Sequence, residues 1–150
     1  MSPEHTFLLN KARKYCSYQE RCIAEIKSRL IQWKASERTI EMIIQNLEKE
    51  DYINEERYAI SFALGKLRNN KWGKNKIFYA MSQKRIPEIY IQMGLNEIDD
   101  EEYINTLKFI LSSKKIDEKD EFKRNNKLVR YAVQKGFQAS FAWKVIREEI

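Results

Sequence analysis

The sequence predicts an all-α fold of three tandem three-helix, helix-turn-helix-like repeats, arranged as an elongated molecule. Three observations support this prediction. Glycine occurs four times and proline twice in 150 residues, fewer turn residues than a many-stranded β fold uses. Apolar residues recur at spacings of three and four, as in Ile40, Ile43, Ile44 and Leu47, which indicates amphipathic helices. The chain also matches itself when it is shifted by 51 residues.

The repeat is visible as aligned apolar positions. The aligned sets are Ile26, Ile77 and Leu128; Leu30, Met81 and Ala132; Ala35, Ile86 and Phe137; Ile40, Ile91 and Ala142; and Ile44, Leu95 and Ile146. Polar identities, such as Asn75-Lys76 with Asn126-Lys127, favour a true repeat over a coincidence of amphipathic helices. We therefore divide a single domain, 1–150, into repeat units at about 6–50, 51–98 and 99–150. Such units stack end to end, and the long surface that results suits a filament or a groove.

The apolar periodicity predicts nine helices, three in each unit. Their expected bounds are 6–16, 20–33, 37–49, 54–69, 74–84, 87–97, 99–113, 122–134 and 138–149. Ser36 is expected to cap the third helix, and Pro87 opens the sixth, where its missing N–H costs nothing. Asp99 or Asp100 caps the seventh, and Gly136 ends the eighth.

A second internal match helps to define the unit boundaries. The segment from Ile53 to Ala59 resembles the segment from Ile98 to Ile104 at an offset of 45. A competing match at offset 51 would leave the polar, cap-like residues of the two segments out of phase. We prefer the offset of 45, which predicts that the third helix of the second unit is about six residues shorter than its counterpart in the first.

Charge is segregated along the sequence. From Arg57 to Pro87 there are eight basic residues and no acidic one, and from Glu88 to Leu107 there are six acidic residues and no Lys or Arg. The whole chain has 28 Lys and Arg against 22 Asp and Glu, a formal net charge of +6. The basic stretch is therefore a candidate surface for phosphates or an acidic protein face, and its acidic neighbour repels both.

Four basic residues flank the connection around Trp72, and we expect them to converge on one surface: Lys66, Arg68, Lys71 and Lys74. Trp72 either stacks on an exposed base or anchors a protein interface, or it is a core aromatic that closes the turn. The lysines form either a binding surface or a solvated face. A weaker candidate is one face of the eighth helix, formed by Lys123, Lys127 and Arg130 at spacings of four and three. The full candidate set is Lys66, Arg68, Lys71, Trp72, Lys74, Lys76, Lys84, Arg85, Lys123, Lys127 and Arg130.

The residues needed for a catalytic or metal site are not assembled in the sequence. The one histidine, His5, is expected in a frayed N-terminus, and Cys16 and Cys22 lack a CxxC spacing, so we expect reduced thiols. Gly73-Lys74-Asn75 fails the phosphate-loop motif, because Arg68 replaces its first glycine and Asn75 its Ser or Thr. The acids from 99 to 102 suit a helix N-terminus better than a metal or acid–base site. We predict a binding protein with no cofactor, not an enzyme.

The apolar segments are short. None approaches the roughly 18–20 residues that a membrane span needs, and the N-terminal stretch is too short for a signal peptide. We therefore expect a cytoplasmic protein with no membrane partner.

Three segments resemble the RecX family. Ala12 to Leu30 is similar to the family's first helices and their ELxxKL run. Leu47 to Ala59 is close to the family's L-x4-YLDDxRFA pattern, and Lys127 to Val145 resembles its C-terminal YLxxRGF segment. The resemblance covers nearly the whole chain from residue 12. It departs from the family at Cys22, at Asn54-Glu55, and at Lys34 and Arg85, which replace expected glycines.

The resemblance implies a regulator of the RecA recombinase in DNA repair and the SOS response. Such a protein binds RecA, lies along the groove of the RecA–DNA filament, and restrains filament growth, ATP hydrolysis and strand exchange. We expect it to be a monomer that binds DNA alone more weakly. The alternatives are a stand-alone nucleic-acid binder whose middle helices dock on a duplex, and a non-catalytic helical scaffold.

Overall fold

The computed structural model describes residues 2–150, and within them the chain forms nine α-helices and no strand. The helices are α1 (Pro3–Tyr18), α2 (Ile23–Gln32), α3 (Glu37–Lys49), α4 (Glu55–Asn70), α5 (Lys74–Gln83), α6 (Glu88–Asn96), α7 (Asp100–Ser113), α8 (Glu121–Gln134) and α9 (Ala139–Ile146). The prediction of an all-α repeat fold is confirmed. Every helix end lies within three residues of its expected position.

Side-chain caps explain where most of these helices begin. Ser36, Asn54, Asp99 and Asp120 each accept a hydrogen bond from the backbone N–H three residues later. Such a cap satisfies one of the N–H groups that the first turn leaves without a partner. The caps expected at Ser36 and at Asp99 are confirmed, and Pro87 occupies the cap position directly before α6.

The expectation of a frayed N-terminus at His5 is wrong. Helix α1 begins at Pro3, and the backbone N–H of His5 donates to the Ser2 hydroxyl at 3.1 Å. Ser2 therefore caps the helix, and Pro3 fits its first turn, where no backbone N–H is needed. The His5 side chain is buried, with 6% of its surface exposed.

The same turn joins the second and third helices in every unit. Its central residue has a positive φ in each case: 64° at Lys34, 59° at Arg85 and 104° at Gly136. In each turn the N–H of the following residue donates to a carbonyl in the last turn of the preceding helix. The three residues are spaced by 51, so this turn repeats at the offset found in the sequence.

We expect Lys34→Gly to raise the free energy of unfolding by about 1 kcal/mol, because a side chain with a left-handed backbone is strained and glycine is not. Lys34 is exposed, so little side-chain packing is lost. The matched control is Lys34→Ala, which keeps the strain and should change stability by less than about 0.5 kcal/mol. Urea denaturation followed by circular dichroism measures both, and equal stabilities of the two variants would contradict the prediction.

The offset of 45 between the starts of α4 and α7 is confirmed. Their caps, Asn54 and Asp99, differ by 45, and the preceding Ile53 and Ile98 are both buried. We predicted that the whole shortening of about six residues falls in the third helix of the second unit, and this is partly wrong. Helix α6 has nine residues against 13 in α3, and the connection that follows α6 is two residues shorter than the one that follows α3.

Three hydrophobic clusters correspond to three successive groups of helices, which we call the first unit (α1–α3), the second unit (α4–α6) and the third unit (α7–α9). The first cluster contains Leu8, Leu9, Ala12, Ile26, Leu30, Ile40, Ile43, Ile44, Leu47 and Ile53. The second contains Cys22, Tyr58, Ala59, Ala63, Leu67, Ile77, Met81, Ile86, Ile91, Leu95 and Ile98. The third contains Leu107, Ile110, Leu111, Val129, Ala132, Phe137, Ala142 and Val145.

The first and second units are joined by side chains. Cys22, at the start of α2, is fully buried and belongs to the second cluster. Arg57 of α4 donates to the Glu20 carboxylate at 2.8 Å, and Lys84 Nζ lies 3.4 Å from the Glu25 carboxylate. This junction therefore combines one small apolar anchor with ion pairs.

The second and third units are joined through the backbone. The N–H of Gly73 donates to the carbonyl of Lys135 at 2.7 Å, and the N–H of Asn75 donates to the carbonyl of Gly136 at 3.0 Å. A Cβ atom at Gly73 would lie only 2.4 Å from the carbonyl carbon of Gly136. Glycine at position 73 is therefore what allows the two backbones to approach this closely.

Candidate interaction surface

The structure does not bring the four basic residues around Trp72 together on one surface. Lys66 lines a groove between the first and second units, Lys71 lines a depression beside α7, and Lys74 lines a cavity against the third unit. Arg68 is directed to the same side as Lys71, because it pairs with Glu102. Consecutive residues at the end of α4 and the start of α5 point in different directions, which sequence spacing alone did not resolve.

The first of these sites is a groove of about 490 Å³, which we call the Trp72 groove. Its lining includes Glu20 and Glu25 from the first unit and Phe62, Lys66, Trp72 and Lys84 from the second. Trp72 is half-buried: it packs against the second cluster and also lines the groove. It therefore has features of a core aromatic and features of a residue available for binding. Lys66 Nζ and Lys76 Nζ lie 5.0 and 4.7 Å from the centre of its ring.

Arg68 and Lys71 contribute to the contact between the second and third units. Arg68 donates twice to the Glu102 carboxylate, at 2.8 and 3.1 Å, and the guanidinium lowers the pKa of that carboxyl. Lys71 Nζ donates to the carbonyl of Arg68 at 2.7 Å and lies 5.7 Å from the centre of the Phe109 ring. The basic stretch of the second unit and the acidic stretch that follows it therefore supply ion-pair partners across the junction of the second and third units.

The backbone N–H of Lys74 holds this residue against the third unit. Its N–H donates to the Tyr103 hydroxyl at 2.9 Å, and its Nζ lies 5.0 Å from the centre of the Tyr103 ring. Burial is the main cause that raises the pKa of Tyr103. The cavity beside it, of about 470 Å³, is also lined by Asp100, Gln138 and Lys144.

The remaining candidates differ in whether a carboxylate pairs with them. Lys84 pairs with Glu25, and Lys127 pairs with Glu118 at 3.3 Å. Within residues 2–150, no carboxylate pairs with Lys66, Lys76, Arg85, Lys123 or Arg130. Arg85 is exposed at the positive-φ turn between α5 and α6, and Lys123 and Arg130 are exposed on α8.

Sequence reasoning missed a group of cations and rings in the first unit. The Tyr15 ring has Arg21 at 3.8 Å and Arg29 at 4.6 Å from its centre. Trp33 lies edge-on to Tyr15, with ring centres 6.3 Å apart, and Lys11 Nζ lies 4.3 Å from the centre of the Trp33 ring. The spacing of four from Lys11 to Tyr15 and from Arg29 to Trp33 was a signal, but only the packing of α1 against α2 brings the two pairs together.

The two cysteines are free thiols, Cys16 half-buried and Cys22 buried. Burial raises the pKa of both Cys16 and Cys22 to about 11, so both are protonated at neutral pH and neither is an activated nucleophile. Across residues 2–150, His, Cys, Asp and Glu side chains form no group of three or more that could hold a metal ion. In the same range, every helix is too short or too polar to cross a membrane.

Comparisons with known proteins identify relatives of the chain. The family model for the second three-helix domain of RecX matches residues 54–95, which correspond to α4–α6. The regulatory protein RecX of Clostridium perfringens strain 13 is 30% identical over 128 residues, which are 82% of this chain and 59% of that protein. The same-named protein of Clostridium acetobutylicum is 31% identical over 83% of this chain and 60% of its own length.

A solved structure shows the same fold. The crystal structure of RecX from Lactobacillus salivarius superposes with a TM-score of 0.87 at 23% sequence identity, covering 99% of this chain and 97% of that one. The chain spans somewhat more than half the length of the curated relatives from Clostridium.

Proposed function

The chain belongs to the RecX family, and from that membership we propose that it binds RecA and the RecA–DNA filament and restrains RecA activity. The activities restrained are ATP hydrolysis and strand exchange by the recombinase, in DNA repair and the SOS response. The observation that carries the proposal is the sequence similarity to proteins named regulatory protein RecX. In this proposal the chain acts in the cytoplasm as a monomeric binding protein without catalysis, and it binds DNA alone more weakly than it binds the filament.

Unpaired cations support a contact with a polyanion or an acidic face. Lys66 and Lys76 flank Trp72, Arg85 is exposed nearby in sequence, and Lys123 and Arg130 are exposed on the third unit. Cations that already pair with carboxylates gain less from a new anion than unpaired ones do, because an existing ion pair must be broken first. We therefore expect these five residues and Trp72 to contribute more than Arg68, Lys84 and Lys127, which already pair with carboxylates.

The arrangement of the units supports a mechanism in which the chain binds along the filament and restrains RecA activity. Each unit has three helices with the same turn between its second and third helix, and the contact between the second and third units is fixed by backbone hydrogen bonds. A row of this kind presents side chains at regular intervals, as a repetitive filament requires. In the mechanism we propose, the apolar clusters keep these intervals while the cations contact DNA phosphates or acidic RecA surfaces.

The test is RecA-dependent ATP hydrolysis on single-stranded DNA. The wild-type chain should slow hydrolysis at amounts below one per RecA, and the triple variant Lys66→Glu, Lys76→Glu, Arg85→Glu should lose most of this inhibition. A matched control reverses three exposed lysines without side-chain partners, Lys49, Lys108 and Lys119, and should inhibit like the wild type. Wild-type protein without any effect on its cognate RecA would reject the proposed function.

Two other outcomes would favour the alternatives. Binding to duplex DNA that falls steeply with salt, together with no effect on RecA, indicates a stand-alone nucleic-acid binder. Inhibition that is equally insensitive to both triple variants indicates that the basic residues of the second unit are not the contact surface.

A further inference from the structure

A cavity that the proposed function does not use lies between the second and third units. Its volume is about 470 Å³, and its lining combines rings, cations and other polar side chains: Lys74, Asp100, Tyr103, Gln138, Phe141 and Lys144. Small-molecule sites in proteins have volumes of about 300–1,000 Å³ and combine an apolar wall with a few polar groups. The cavity therefore has the size of such a site, and its lining decides which class of molecule fits.

Two aromatic rings form the apolar wall of the cavity. Tyr103 and Phe141 stack on each other, with ring centres 5.5 Å apart and an angle of 22° between their planes. Both rings are half-buried, because they pack against the third cluster and also line the cavity. Phe137 of that cluster contacts Tyr103 with ring centres 5.0 Å apart. The core therefore holds the two rings in place, and a wall of this kind favours a flat aromatic ligand.

Two cations beside the rings have no carboxylate partner. Within residues 2–150, neither Lys74 nor Lys144 forms an ion pair, and Lys74 Nζ lies 5.0 Å from the centre of the Tyr103 ring. Asp100 is the one acid among the described residues that line the cavity. Because positive charge exceeds negative charge in this lining, an anionic group is favoured beside the rings.

Neutral hydrogen-bond donors line the same space. The Tyr103 hydroxyl accepts the backbone N–H of Lys74 at 2.9 Å, so its own hydrogen remains available to an acceptor. Gln138 occupies the cap position of α9, but its side chain makes no capping hydrogen bond and lines the cavity instead. An anion bound here would therefore meet neutral donors as well as ammonium groups.

We propose that this cavity binds a small aromatic anion, with its ring against Tyr103 and Phe141 and its carboxylate, sulfonate or phosphate group held by Lys74 and Lys144. An inorganic anion would leave the rings without a contact, and a neutral ring would leave both ammonium groups without a partner. Because Lys74 belongs to the second unit and the other four side chains described above belong to the third, the bound molecule would contact both units. This inference goes beyond the proposed function and does not depend on it.

The first test uses anilinonaphthalene sulfonate, a fluorescent aromatic anion, and the full chain without RecA or DNA. We expect saturable binding at one site per chain. The uncharged dye phenylnaphthylamine has the same ring system without the sulfonate, and it should bind at least about tenfold more weakly, the effect of one lost charged hydrogen bond. Equal or tighter binding of the uncharged dye would overturn the proposal.

A pair of charge variants tests the two lysines. Lys74→Gln with Lys144→Gln should weaken binding of the sulfonate dye by about tenfold, because the anionic group loses both ammonium partners. The matched control is Lys108→Gln with Lys119→Gln, which removes the same charge from two exposed lysines that do not line the cavity. Equal losses in the two double variants would contradict the assignment of the anionic group.

A variant that fills the cavity tests the site without changing its charge. Gln138 is exposed and makes no capping hydrogen bond, so Gln138→Trp should leave the fold intact. Its indole ring would occupy the space that the ligand needs, and we expect dye binding to weaken at least about tenfold. The control is Ser140→Trp, at an exposed position of α9 outside the lining, which should bind the dye like the wild type. Unchanged binding by Gln138→Trp would overturn the proposal.

Competition against the dye identifies the anionic group of the ligand. Benzoate and phenyl phosphate share one aromatic ring and differ in the group that the lysines would hold. We expect both to displace the dye from the wild-type chain, and the stronger competitor distinguishes a carboxylate ligand from a phosphate ester. Inorganic phosphate at the same concentration should displace much less. Failure of both aromatic anions, or equal displacement by inorganic phosphate, would overturn the proposal.

Discussion

We expect Gly136→Ala to lower the free energy of unfolding by about 3 kcal/mol, because two separate effects oppose any side chain at this position. The φ of Gly136 is +104°, well beyond the left-handed values that Lys34 and Arg85 adopt at the equivalent turns. A Cβ atom there would also lie 2.5 Å from Cβ of Lys76 and 2.7 Å from its backbone nitrogen. Urea denaturation followed by circular dichroism measures the change.

The matched control for Gly136→Ala is Arg85→Ala. Arg85 occupies the same position in the preceding unit but already has a Cβ atom, so alanine adds neither strain nor a clash. We expect a change below about 0.5 kcal/mol. If Gly136→Ala were equally mild, the close backbone contact between the second and third units would be refuted.

The second large effect is expected for Phe137→Ala, which should lower the free energy of unfolding by about 4 kcal/mol through the cavity that it leaves. Phe137 is the largest fully buried side chain, with 1% of its surface exposed, and the centre of its ring lies 5.0 Å from that of Tyr103. Denaturation measures the total loss. Hydrogen exchange should place most of the lost protection in α7–α9, because each unit depends mainly on its own cluster.

The control for Phe137→Ala makes the same substitution at an exposed ring. Phe122, at the start of α8, has 72% of its surface exposed, so Phe122→Ala removes the same atoms but little buried area. We expect its effect to stay below about 0.5 kcal/mol. Similar losses in both variants would mean that the third unit is not organised around Phe137.

Much of the fold was predictable because local signals agree with tertiary packing. Ser36 and Asp99 are N-caps in sequence and in structure, and the aligned positions Ala35, Ile86 and Phe137 all follow the same left-handed turn. The start of α1 was not predicted, because the combination of Ser2 as cap and Pro3 in the first turn was not recognised. That signal was present in the sequence.

The candidate site was less predictable, because sequence spacing does not reveal partners that lie far apart in the chain. From the sequence alone Arg68 is expected to be a free cation, but in the structure it pairs with Glu102, 34 residues later in the chain. Lys84 likewise pairs with Glu25 from the preceding unit. The contact of Tyr15 with Arg21, Arg29 and Trp33 needs α1 and α2 to pack in the observed orientation, and no local pattern specifies that orientation.

The most direct test of the proposed function is whether the chain binds the RecA filament. RecA assembled on single-stranded DNA with a non-hydrolysable ATP analogue would be sedimented with the chain at micromolar concentration, beside RecA-free DNA as a control. We expect the wild-type chain to enter the pellet with the filaments, and the triple variant Lys66→Glu, Lys76→Glu, Arg85→Glu to remain mostly in the supernatant. A wild-type chain that stays in the supernatant with its cognate filaments would contradict the proposed role in RecA regulation.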